Sequence, residues 1–223
     1  MGLDPGTLAA RLTVAGITGR AAGWTFATFP RQPETEAAFA AAREYAASAA
    51  PTPPGVLLVG ATGTGKTSLA VSIAQARIEA GDGNDLGWSW ALGAIDSVRQ
   101  GLGRRIPGPV WVESWGGLKA RFRREKEAEV DEGLLLDDVC GASLLVLDEI
   151  GLGGFTEWRE EILWMILSRV ERGRRLVLTS NREPAGLVAS IGERNADRLC
   201  DQKMFRVVGL RGQSLRQKGR RTT

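Results

Sequence analysis

Gly60-Ala61-Thr62-Gly63-Thr64-Gly65-Lys66-Thr67 satisfies the pattern G-x-x-x-x-G-K-[ST] in full. Each residue type in it has a physical reason. The glycines allow backbone angles that a Cβ forbids, so the amides can close around phosphate oxygens. A helix starting near Lys66 adds its positive N-terminal end. Lys66 is placed to reach the β- and γ-phosphates of a nucleotide, and the Thr67 hydroxyl to ligate magnesium. Such a loop is meaningful only between a strand and a helix, and both are present. Val56-Leu57-Leu58-Val59 is a continuous apolar run, as in a strand buried on both faces. Behind the loop, Leu69, Ile73 and Ala76 share one face of a helix beginning at Thr67.

The same strand signal returns at Val110–Val112, Leu144–Leu147, Leu176–Leu178 and Phe205–Val208. Helical stretches lie between them, clearest over 158–172. An alanine-rich helix over 35–50 precedes the first strand and is stopped by the prolines of 51–54. Strands alternating with helices predict an α/β chain with a five-stranded parallel sheet covered by helices on both faces, a three-layer P-loop NTPase. Residues 81–108 give no clear pattern. The run 82–87 faintly resembles a calcium loop but has Leu86 and Gly93 where ligands belong, and reads as a turn.

Leu144–Leu147 ends in Asp148-Glu149, which delivers two carboxylates to the sheet edge where the glycine loop also opens. Asp148 is expected to hold magnesium, mainly through water. The chain of 223 residues contains no histidine, which excludes His general bases, Ser-His-Asp triads and His metal sites. Glu149 is therefore the expected base for an attacking water. Leu176–Leu178 likewise ends in Thr179-Ser180-Asn181, and Asn181 is placed to position that water or sense the γ-phosphate. Two cysteines, no signal-like N-terminus and no long apolar run predict a cytoplasmic protein that does not enter the membrane.

Taken together, the motifs resemble the AAA+ ATPases of the DnaC/IstB type, the helicase loaders and transposase helpers. The resemblance is carried by Ala15-Gly16-Ile17, Trp24–Phe29, Asp148–Gly151 with Thr156-Glu157-Trp158, and Thr179–Asn181. It continues through Ile191–Arg194, Asp197–Cys200, Leu210–Ser214 and Arg216. It implies an AAA+ fold, with the fourth strand inserted between the phosphate-loop strand and the Asp-Glu strand and the C-terminal lid reduced or absent. Residues 35–210 are then the ATPase core, 1–34 a short partner-binding and linker segment, and 211–223 a basic tail. It also implies self-association with ATP between subunits. Arg198 would be the arginine that reaches a neighbour's γ-phosphate, with Arg194 as competitor and Arg216 as the nominee for a second sensor.

The resemblance further implies a function: loading a hexameric replicative helicase onto single-stranded DNA, with ATP and Mg2+ as cofactors and ATPase activity that is low outside the oligomer. The alternatives are an IstB-like helper acting on double-stranded DNA and, in another class, a small-molecule P-loop kinase. Net charge is only +3, but cations cluster at 119–126 and 211–221. Lys119, Arg121, Arg123 and Arg124 are expected to follow a phosphate backbone, with Phe122 against a base.

Overall fold

The computed structural model describes residues 3–82, 88, 89, 91, 108–127, 132–154 and 156–215. Most of 81–108, with its calcium-like run, and residues 216–223 with Arg216 lie outside this set.

Five strands, β1 Gly55–Gly60, β2 Val110–Ser114, β3 Leu144–Asp148, β4 Arg175–Ser180 and β5 Phe205–Leu210, form one parallel sheet in the order β2-β3-β4-β1-β5. β4 thus lies between the phosphate-loop strand and the acidic strand, as the resemblance implies.

Alternation along the strands divides two cores. Val56, Leu58, Leu144, Val146, Val177 and Val208 face one side with α1 (Pro5–Val14), α2 (Glu36–Ala47) and α3 (Lys66–Glu79). Leu57, Val59, Leu145, Leu147, Leu176 and Leu178 face the other. There they meet α4 (Trp115–Glu127), α5 (Glu132–Gly141), α6 (Glu157–Ser168), the short α7 (Val188–Ile191) and α8 (Glu193–Cys200). β1, β3 and β4 are buried on both faces, which is why they read as unbroken apolar runs, whereas the edge strand β5 leaves Arg206, Val207 and Gly209 exposed. Truncating one such leucine to alanine costs about 2–5 kcal/mol.

Element ends differ from expectation for local reasons. α2 stops at Ala47, before the prolines. The helix expected over 158–172 ends at Ser168 and tightens into a 3-10 turn, Val170–Arg172, closed by Gly173 at φ 70°. Ser114 starts α4 by accepting the Gly117 amide at 2.9 Å, an N-cap bond. Thr156 does the same for α6 through the Arg159 amide.

Residues 3–34 are woven into the domain. Leu12, Val14, Ala15, Ile17 and Phe29 join the α1–α3 core. The carbonyl of Ala15 accepts the Val112 amide at 2.8 Å, along the outer edge of β2. Gln75 on α3 donates to the carbonyls of Ala21, Ala22 and Trp24.

Candidate nucleotide site

The glycine loop, Thr67 and Asp148-Glu149 lie together at the C-terminal edge of the sheet. β1 delivers Gly60 and α3 begins at Lys66, so 61–65 form the loop between them. Gly63 and Gly65 take φ of 87° and 101°, in the left-handed region that favours glycine. Lys66 is buried, and its ammonium donates to the carbonyls of Gly60 and Ala61, each at 2.8 Å. The cation is therefore held inside the loop that a phosphate would enter.

Thr67 and Asp148 come together across the sheet edge. The Thr67 hydroxyl lies 2.9 and 3.0 Å from the two carboxylate oxygens of Asp148. One hydroxyl and one carboxylate form a hard-oxygen pair suited to magnesium, whose remaining ligands would be phosphate and water. The residues present fit that ion.

Thr179, to which the sequence reading gave no role, ties the acidic pair in place. Its hydroxyl donates to Asp148 Oδ1 at 2.6 Å and accepts the Glu149 amide at 2.8 Å. Its carbonyl accepts the Ile150 amide at 2.9 Å. These bonds hold Glu149 at φ 59°, which among the described residues makes it the one non-glycine with positive φ. That backbone costs of order 1–3 kcal/mol and persists only where neighbours over-determine it. Asn181 is exposed just past the end of β4, and register places Ser180 opposite Val59, one residue before Gly60.

Two segments far apart in sequence also close on the loop. Leu215 donates its amide to the Gly63 carbonyl at 2.9 Å. A Cβ on Gly63 would stand 2.2 Å from Ser214 Oγ, and one on Gly65 would press on Phe29 and Leu215. The start of the basic tail is thus seated on the phosphate loop, and Phe29 of the N-terminal segment lies beside it.

The two candidate arginines lie elsewhere, on α8. Arg198 donates to Ser168 Oγ and to Glu171 Oε1, each at 2.7 Å, with its guanidinium 5.0 Å from the centre of the Trp164 ring. Arg194 is exposed and stacks on the same ring at 4.2 Å. Within one subunit both are committed to α6 and the turn after it.

The basic helix divides by face. Phe122 is 0% exposed, packed edge-on against Trp158 with ring centres 5.9 Å apart, so the expectation that it meets a base is corrected. With Trp115 and Leu118 it makes a core stripe at i, i+3/i+4 spacing. Arg121 is also less available than expected, paired with Glu113 at 3.0 Å and stacked on Trp111. Arg123 and Arg124 are exposed. Lys119 donates to the Leu152 carbonyl at 2.8 Å; Arg159 approaches the same loop and donates to the Gly154 carbonyl. Burial first, then the charges of Arg159 and Arg123, hold the Lys119 ammonium below its ordinary pKa.

No family model matches the chain. The chromosomal replication initiator protein DnaA of Caulobacter sp. (strain K31) is 28% identical over 172 residues, which is 77% of this chain and 30% of that protein. A solved DnaC helicase loader superposes with TM-score 0.60 at 20% identity, over 84% of this chain and 96% of that one. The fold is that of the DnaC-type AAA+ ATPases. A replication initiator DnaA, bound to AMPPCP and single-stranded DNA, superposes with TM-score 0.64 at 14% identity, over 89% of this chain and 55% of that one. The chain therefore spans about a third of the curated relative and about half of the solved DnaA. Among the described residues no helix is long and apolar enough to cross a membrane.

Proposed function

We propose that this AAA+ chain binds ATP with magnesium, hydrolyses it slowly, and uses the ATP state to place a hexameric replicative helicase on single-stranded DNA. The observation that carries the nucleotide reading is the triangle of Thr67, Asp148 and Thr179, in which two hydroxyls meet one carboxylate and Thr179 also accepts the Glu149 amide. Backbone amides of 61–66 would bind the phosphates, and Lys66 would exchange its loop carbonyls for β- and γ-oxygens. Thr67 and Asp148 would hold the magnesium, which neutralises charge on the phosphates when bound. Glu149 would take the proton of the attacking water, and Asn181 would orient that water.

Arg198 is proposed to complete the site of a second copy, so that hydrolysis reports assembly. Such an arginine contributes roughly 10³–10⁵ in rate. The exposed Arg123 and Arg124, with Lys119 and Arg159 beside them, are proposed to contact DNA phosphates. The loading reading is supported by the likeness to a solved DnaC helicase loader across nearly all of that solved chain. The likeness to a DnaA bound to single-stranded DNA supports the choice of nucleic acid.

The test is ATP turnover and nucleotide affinity measured together. Lys66→Ala should lose nucleotide binding, whereas Glu149→Gln should keep it and lose turnover. Equal turnover by wild type and Glu149→Gln would sink the assignment of Glu149 as the base.

A further inference from the structure

Arg198 is held by groups that can each let it go without loss. Ser168 Oγ accepts from Arg198 but also donates to the Trp164 carbonyl at 2.8 Å, so the hydroxyl stays bonded when the guanidinium leaves. Glu171 is 51% exposed and can be hydrated at once, whereas the Arg198 side chain is 19% exposed. The Trp164 ring keeps Arg194 at 4.2 Å on its face. An arginine needed for packing would leave buried partners unsatisfied on departure. This one leaves none of its three named partners in that position.

We propose that Glu171, with Ser168, is a cis latch that occupies Arg198 in the free subunit and sets the protein concentration at which the shared site forms. The inference rests on Arg198 reaching the γ-phosphate of a second copy. The carboxylate and that phosphate compete for one guanidinium. A half-exposed carboxylate holds it weakly. The triphosphate carries more charge and offers several acceptor oxygens, so it takes the guanidinium over once the subunits meet. Glu171 is a positioning residue in this scheme and touches no substrate. The latch opposes assembly by a few-fold, which keeps dilute subunits from turning over ATP.

ATP turnover per subunit, followed against concentration of the full chain in magnesium–ATP, tests the latch. Glu171→Gln should lower the midpoint of the concentration-dependent rise about threefold, the size expected of a half-exposed pair, with the same rate at saturation. Arg198→Ala should abolish the rise, and Glu171→Gln on top of Arg198→Ala should change nothing further. An unchanged or raised midpoint in Glu171→Gln, with the rise still dependent on Arg198, overturns the latch and leaves the shared site standing. A rise that survives Arg198→Ala, or no rise in wild type, overturns the shared site and the latch with it. A second effect of Glu171→Gln in the Arg198→Ala background shows that Glu171 does not act through Arg198 and also overturns the latch.

Discussion

The hydroxyl of Thr179 donates to the carboxylate of Asp148 at 2.6 Å while the same oxygen accepts the amide of Glu149 at 2.8 Å. One side chain on β4 therefore fixes both acidic residues at the end of β3. Thr179 is 0% exposed, so no water substitutes for it.

Thr179→Val keeps the shape and removes the hydroxyl. Leaving a carboxylate and an amide short of a partner should cost about 1–3 kcal/mol in denaturant unfolding. ATP turnover should fall at least tenfold as Glu149 loses its fixed backbone, while nucleotide affinity changes little. Unaltered turnover in the folded variant would show that Thr179 does not position Glu149.

The two faces of α4 should answer differently to mutation. Phe122→Ala opens a cavity beneath Trp158 and should cost about 3–5 kcal/mol. Arg123→Ala and Arg124→Ala should stay within about 0.5 kcal/mol of wild type. On single-stranded oligonucleotides each should reduce the salt slope of binding by about one contact. Salt slopes identical to wild type would remove these arginines from the DNA path.

Much of this architecture is legible in the sequence. β1 and β3 sit between two dry layers, so Val56–Val59 and Leu144–Leu147 carry no polar alternation to obscure them. The glycine loop and Asp148-Glu149 announce themselves because few other residue types can do their chemistry. The charges around Phe122 mask its place in the core stripe of Trp115, Leu118 and Phe122. The role of Thr179 was not readable, since a threonine at a strand end shows nothing of what faces it from the next strand. The seating of Ser214 and Leu215 on Gly63 is a contact between segments some 150 residues apart, and no local pattern encodes it.

Tyr45 gives a pH signature of the folded domain. It is the single tyrosine of the chain, buried, and donates to the Pro54 carbonyl at 2.5 Å. Burial raises its pKa well above the ordinary value, against the opposing charges of Arg175, Arg169 and Arg77. The unfolded phenol ionises near pH 10 and the folded one resists, so above about pH 10 the unfolded state holds fewer protons. Tyr45 thus contributes full stability below that pH and loses it as pH rises further. Phenolate absorbance should appear only with unfolding; a simple titration near pH 10 in the folded protein would contradict this.

Magnesium should be needed for turnover more than for folding. Chelation should abolish hydrolysis and leave the thermal midpoint of the nucleotide-free chain unchanged, because Thr67 and Asp148 already bond each other. Thr67→Val should reproduce the loss of turnover in excess magnesium, measured by phosphate release.

The central claim is that the ATP state of this chain grips a replicative helicase. The direct measurement is retention of a purified hexameric replicative helicase on immobilised Glu149→Gln, in magnesium–ATP and in magnesium–ADP. Retention with ATP and release with ADP is the predicted result. No retention in ATP, or equal retention in both nucleotides, contradicts it.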